Sequence, residues 1–267
     1  AQAGQENSFT WDNMRKGLEM QMPLIDSLRR AGRLRVETLG ESGRWFRKNF
    51  KLTPATAVTT VSDVRGEGNK TIWYDSRNYR ANLLWEKGRF RFRDIHLFDE
   101  RFKSEYLDKP GTGNQFLFYT LPVIDGFMWS KGDDRAGLMI VKVNDDGSTE
   151  ELRLDNPTVK ERGKSVLEVS GTDQYGHTFS IVLRDDRIEV SSPDAGNDDA
   201  WALQLHSAPD APLPFTTIGD KSVEAVFRGY SYSVGCSKGC FKEVDDNGNR
   251  TIRICPDKGK IAIDCAR

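Results

Sequence analysis

The chain has 267 residues, 37% of them hydrophobic and 30% charged, with 39 basic and 40 acidic side chains and a formal net charge of −1. That composition excludes a disordered chain and argues against a general nucleic-acid binder, whose phosphate footprint leaves a domain basic; no apolar run approaches the ~20 residues of a membrane-spanning helix. The neutrality averages two unlike halves, +6 through Pro110 (21 basic against 15 acidic residues) and −7 beyond it (18 against 25).

The sequence opens Ala-Gln-Ala-Gly without a methionine, which reads as a mature form freed of a signal peptide or as a trimmed chain. Residues 8–32 carry Trp11, Met14, Leu18, Met22 and Ile25 at a three-to-four spacing, which predicts one amphipathic helix. Gly32 is its natural stop, and Pro23 a point of kinking or division. After it the hydrophobic period becomes two. Seventeen strand-like runs follow, beginning 44–52, 56–64, 70–75, 78–86, 89–98 and 115–121 and ending 240–245, 250–255 and 260–264. Short strands at this spacing predict an all-β chain, a large antiparallel β-sandwich of jelly-roll or super-sandwich type with one N-terminal helix. The expected division is a helical segment over 1–35 and a single sandwich domain over 36–267.

The segment Tyr79–Phe98 carries the most chemistry. Two alternating strands flank Lys87-Gly88, and a two-residue turn there pairs Trp85 with Phe90, Leu83 with Phe92, Ala81 with Asp94 and Tyr79 with His96. Asp94 and His96 then share a face, with Tyr79 across from the imidazole. A carboxylate that fixes the tautomer and a phenol that exchanges the second proton make a proton-transfer unit. Strict alternation puts Arg80, Arg89, Arg91 and Arg93 on the opposite face, where an arginine row can hold a carboxylate or sulfate. Arg91 or Arg93 would suit a uronate, but one site could not then use both faces, so Arg77 and Arg80 at the strand entrance become the expected ligand-binding arginines. A structural His–Asp pair and a solvated arginine row are the plain alternatives. Asp125, between apolar residues in Leu121–Trp129, is a weaker acid candidate or simply a turn. His177 and His206 stand apart from any evident ligand cluster.

Five Asp doublets, at 133–134, 145–146, 185–186, 198–199 and 245–246, fall where strand patterns meet and read as turn formers rather than calcium ligands. All four cysteines lie at the C-terminal end, Cys236, Cys240, Cys255 and Cys265. An Asn247-Gly248 hairpin would set Cys240 opposite Cys255, consistent with a disulfide framework and an exported setting; free thiols or a zinc site are the alternatives. No metal or other cofactor is expected. Serine-hydrolase, nucleotide-binding and zincin motifs are absent from the sequence.

Six Trp and seven Tyr suit sugar stacking, with Trp73 and Trp129 as candidate platforms. The segment Gly43–Leu52 resembles the opening strand of the accessory β-sandwich domains of bacterial β-galactosidases and rhamnosidases. Asp94-Ile-His96 is similar to the Gln-Ile-His element of jelly-roll alginate lyases, with Asp94 in place of Gln and without those lyases' Tyr-Phe-Lys-Ala-Gly strand. These resemblances imply an exported carbohydrate-active sandwich protein, secreted, periplasmic or at the cell surface. It would bind or cleave a polysaccharide or oligosaccharide, acidic by preference. If it is a lyase or glycosidase, Tyr79 and His96 are its acid/base pair, oriented by Asp94. The alternative is a non-catalytic glycan-binding or surface-assembly module.

Overall fold

A computed structural model describes residues 10–63, 65–113, 119–195, 201–246 and 248–266. The chain forms two compact units, one through Lys51 and one from Leu52 onward, so the division falls past the expected 35/36 boundary.

The first unit holds α1 (Thr10–Arg30) and α2 (Leu39–Asn49). Helix α1 runs unbroken through Pro23 and stops at Gly32, whose φ of 68° suits glycine. Helix α2 corrects the strand expected at 44–52 and, with it, the strand resemblance placed there. Its cause is local: Thr38 Oγ1 accepts from the Glu41 N–H while the Glu41 carboxylate accepts from the Thr38 N–H at 2.7 Å. This capping box fixes the first turn, and Trp45, Phe46 and Phe50 then meet at helical spacing, with ring centroids 5.6 and 4.9 Å apart. Neither helix buries a residue.

The second unit is an all-antiparallel sandwich with 18 strands among the described residues. In chain order the strands are β1 (Thr56–Thr60), β2 (Lys70–Asp75), β3 (Tyr79–Glu86), β4 (Arg89–Leu97), β5 (Leu121–Asp125), β6 (Gly137–Val143) and β7 (Thr149–Glu151). There follow β8 (Asp155–Glu161), β9 (Leu167–Thr172), β10 (Thr178–Leu183), β11 (Arg187–Ser191), β12 (Trp201–His206) and β13 (Phe215–Ile218). The last are β14 (Ser222–Phe227), β15 (Tyr230–Lys238), β16 (Cys240–Asp246), β17 (Asn249–Cys255) and β18 (Lys260–Asp264). One sheet runs β1-β2-β3-β4-β6-β12-β17-β16, with β5 also on β4 and β7 on β6; the other runs β13-β14-β15-β18-β11-β10-β9-β8.

Alternation builds the core. Ile72, Tyr74, Tyr79, Leu83, Trp85, Phe90 and Phe92 of the first sheet are buried in one cluster with Val169, Phe179, Ile181, Ile188, Val190 and Ile263 of the second. Each large side chain so buried contributes roughly 1.5–3 kcal/mol. Buried polar tips find backbone partners: Tyr74 Oη donates to Ser165 O at 2.7 Å, Tyr79 Oη to Arg187 O at 3.2 Å, and Trp85 Nε1 to Leu154 O.

Strands β2, β3, β12 and β18 fall close to the expected runs. Strands β8 and β13 had no sequence signal, Pro157 and the preceding proline-rich loop masking them. The run expected at 115–121 lies mostly outside the described residues, as do the 198–199 doublet and Asn247. Cys240 and Cys255 are Cα partners as the hairpin predicts, but no disulfide joins any of the four cysteines.

Candidate functional site

The β3–β4 ladder begins as the sequence predicts, with Trp85 against Phe90 and Leu83 against Phe92. It then slips. Asn82 pairs with Asp94, Ala81 with Ile95, Arg80 with His96 and Tyr79 with Leu97, so Arg93 is the extra residue of a β-bulge. Because side chains alternate with period two, that single residue turns Asp94 and His96 onto the face of Arg80 and Arg91. The conflict between the arginine row and the histidine face therefore dissolves: both look out from the sheet surface opposite the core. The signal lay in the sequence, since Arg93 and Asp94 are consecutive polar residues that break the phase of alternation. A second slip, between Ile95 and His96, leaves Val123 of β5 unpaired and sets Asp125 against Asp94.

These residues line a cleft of about 430 Å³, with Arg80, Glu86, Arg91 and Arg93 on one side and Asp94, His96 and Asp125 beside them. The volume falls within the usual range for a small-molecule site. The loop from Gly126 to Ala136, between β5 and β6, supplies Phe127 and Arg135. It crosses tightly over β4: a Cβ on Gly126 would come within 2.5 Å of Arg93 Cγ and 2.6 Å of Arg93 O, and one on Gly137 within 2.6 Å of Arg91 Cδ. Only glycine permits that approach.

Part of the polar equipment is already paired. Arg93 grips Asp94 with Nε at 2.8 Å and Nη2 at 2.7 Å, and its guanidinium lies 5.2 Å from the centre of the Trp73 ring. Arg91 Nη2 donates to Glu86 at 3.0 Å. Asp125 Oδ1 accepts from the Phe127 and Met128 N–H groups at 3.0 and 2.8 Å, which shapes the start of the loop. Four buried atoms here lack a partner. Arg80 Nε, Arg91 Nε, Asn82 Oδ1 and His96 Nε2 are buried without a hydrogen-bond partner, each a cost of about 1–3 kcal/mol. The four atoms lie on adjoining positions of one sheet face; Arg80, Arg91 and His96 line the cleft, whereas Asn82 is wholly buried and does not.

His96 is 4% exposed. Its Nδ1 shares a hydrogen bond with Thr120 Oγ1 at 2.7 Å, and its Nε2 stands 3.5 Å from Asp125 Oδ2 without hydrogen-bond alignment. Burial pushes its pKa down to about 4; Asp125 and Asp94 resist the shift, while Arg80 and Arg93 assist it. The imidazole is thus neutral at neutral pH. Asp94, His96 and Asp125 each offer a ligand atom within 4.8 Å of the others, as a metal site would. The surrounding charge opposes that use, because Asp94 is held by Arg93 and four guanidiniums line the cleft.

The sequence-predicted residues divide. His96, Asp94 and Arg80 meet in the cleft, and Trp73 adjoins it, half-buried beneath the guanidiniums of Arg80 and Arg93. Tyr79 does not: the bulge leaves it opposite Leu97, fully buried on the core face, with burial pushing its pKa well above the ordinary value. Arg77 is also elsewhere, paired with Asp185 at 3.1 Å. Trp129 is buried in the core, its ring edge-on to Phe215 at 6.1 Å, and offers no stacking surface. Sequence reasoning missed Phe127 and Arg135, for which a loop gives no periodic signal, and left Asp125 without its partner.

Elsewhere, His206 is clasped by Asp246 at 2.7 Å and Asp134 at 3.2 Å, and His177 by Asp173 at 2.9 Å. Two of the turn-forming doublets therefore also anchor a histidine. Comparison with protein-family models, curated proteins and solved structures returned no match.

Proposed function

We propose that this chain is an exported carbohydrate-active protein whose arginine-lined cleft binds an acidic polysaccharide. The observation that carries the reading is the convergence of four arginines, Arg80, Arg91, Arg93 and Arg135, on one open cleft, with the buried Nε–H groups of Arg80 and Arg91 unpaired. Guanidinium donors fixed by a rigid sheet suit a carboxylate on a sugar chain. Phe127 at the rim is 76% exposed and gives a sugar ring an apolar face to lie against. The exported setting comes from the sequence reading of the C-terminal cysteines as a disulfide framework; Cys240 and Cys255 are opposed in the β16–β17 ladder but not bridged.

A catalytic version is favoured by one further observation, the neutral His96 imidazole between two carboxylates. His96 would then take the proton beside the substrate carboxylate, with the arginines neutralising that carboxylate. Tyr79 has no part in it, and no tyrosine is among the described residues lining the cleft.

The test mixes the protein with neutral and acidic polysaccharides while following retention, unsaturated-product absorbance and reducing ends. Binding to acidic glycans alone is expected, weakened at least tenfold in Arg80→Gln. Equal affinity for neutral and acidic glycans, or none for either, overturns the reading; product formed undiminished by His96→Gln overturns the catalytic version.

A further inference from the structure

Helix α2 of the first unit carries an apolar side that nothing in the unit covers. At about 3.6 residues per turn, Arg44, Arg47 and Lys48 fall on one side of it, Leu39 and Phe46 fall on the other, and Trp45 stands at the boundary. Leu39, Trp45 and Phe46 are 72%, 48% and 37% exposed. Phe50, just past the helix, joins the aromatic side through its ring contacts with Trp45 and Phe46.

Charge decides what such a face receives. From Arg29 to Lys51 the chain holds eight basic side chains against two acidic ones, Glu37 and Glu41. Both acids are engaged within the unit, Glu37 with Arg35 at 2.8 Å and Glu41 in the Thr38 cap at 2.7 Å. Arg44, Arg47 and Lys48 are exposed, and among the described residues none has an ion-pair partner. A second copy of this unit would bring the same positive excess to the apolar face and be repelled. An anionic lipid surface supplies both complements: an apolar boundary for Leu39, Phe46 and Phe50, and phosphates for the cations, with the Trp45 indole at headgroup level. We infer that the first unit docks on an anionic lipid surface through α2. No described helix is long and apolar enough to cross a membrane, so α2 lies along the surface. The inference is independent of the cleft, and either can fail without the other.

The full chain is sedimented with vesicles of phosphatidylcholine alone and of phosphatidylcholine mixed equally with phosphatidylglycerol, in low and high salt. Binding is expected to the mixed vesicles only, and weaker in high salt. Each basic side chain at such a surface multiplies affinity roughly fivefold, so Arg44→Gln, Arg47→Gln and Lys48→Gln together should weaken binding about a hundredfold. Arg44→Lys with Arg47→Lys keeps the charge and should keep the binding. Trp45→Ser with Phe46→Ser should weaken it about tenfold or more, with helix content checked by circular dichroism. Equal binding to both kinds of vesicle, or to neither, overturns the inference. So does binding that the basic variant loses and the aromatic variant keeps, which marks contact with a polyanion without insertion. A concentration-dependent dimer in light scattering that the aromatic variant dissolves names a second copy as the occupant and also overturns it.

Discussion

Asn82 and Asp94 face each other across the β3–β4 ladder one step out of phase with Leu83 and Phe92 beside them. Arg93, the residue that makes the step, also holds the carboxylate it displaces. Arg93→Ala should therefore do more than remove a half-exposed cation. It strands Asp94, 4% exposed, without the guanidinium that holds its Oδ2, at a cost of roughly 3 kcal/mol. Chemical denaturation should show that loss, and Asp94→Asn in the same background should recover part of it by removing the unpaired charge. Full stability in Arg93→Ala would mean that the bulge holds without its ion pair.

Two histidines should give stability opposite pH slopes. The folded pKa of His96 is depressed to about 4, below the ordinary 6.5, so between those values the unfolded chain binds the extra proton and stability falls as the solution is acidified. His206 is shifted up, first by its hydrogen bond to Asp246 and then by Asp134, against burial. Its contribution is complete below pH 6.5 and is lost as the pH rises through the raised folded value. The difference in Tm between wild type and His206→Asn should be greatest below pH 6.5, about 3 °C, and shrink in alkali. A difference that does not vary with pH would refute the assignment.

Glycines at Gly126 and Gly17 should respond in opposite directions to alanine. Gly126→Ala forces the loop off the Arg93 backbone, and overpacking of that kind costs about 1–3 kcal/mol. Gly17 lies within α1 with nothing within 4 Å of a new Cβ, so Gly17→Ala should raise helix stability by about 0.8–1 kcal/mol. Circular dichroism melts of both variants check the pair.

Phe127→Ala removes a side chain that is largely in water, so the melting temperature should stay within about 1 °C of wild type. Retention on acidic polysaccharide should fall at the same time. Unchanged retention would place sugar contact elsewhere on the cleft rim.

Thiol labelling should follow burial. Cys240 is half-exposed, whereas Cys265 is wholly buried and its pKa raised, and burial lifts Cys236 to about 11. Under native, reducing conditions an alkylating reagent should modify Cys240 first, as read by peptide mass; preferential loss of Cys265 would contradict the packing of β18 against β11 and β15.

The fold class was legible because alternation is a property of each strand alone: Ile72, Tyr74, Leu83, Trp85, Phe90 and Phe92 announce a core face without knowledge of their neighbours. Pairing was legible only up to Leu83–Phe92, since beyond it register depends on Arg93, whose side chain alternates normally with Phe92 and reveals the slip only through Asp94. The helix at Leu39–Asn49 was obscured for a different reason: aromatic residues at 45, 46 and 50 satisfy a strand pattern and a helical one, and the Thr38–Glu41 cap decided between them. Asp125 came into the site through pairing of β5 with β4, a contact between distant parts of the chain that no local pattern encodes.

Strand β4 shares one edge between two neighbours, β5 along Asp94–Leu97 and β6 at Phe92, and the loop from Gly126 to Ala136 leaves through the gap. The loop is tied down at its start, where the Gly126 N–H donates to Arg93 O at 2.8 Å, and at Trp129, whose carbonyl accepts from the Ala208 N–H at 2.9 Å. Between those ties Phe127 and Met128 are exposed, and their side chains can be exchanged with no strand changing partners. Phe127 and Arg135 line the cleft from a loop, whereas Arg80 and Arg91 line it from the sheet. On the proposed reading of the cleft, its rim can vary with the exposed part of the loop while its floor stays fixed by the core.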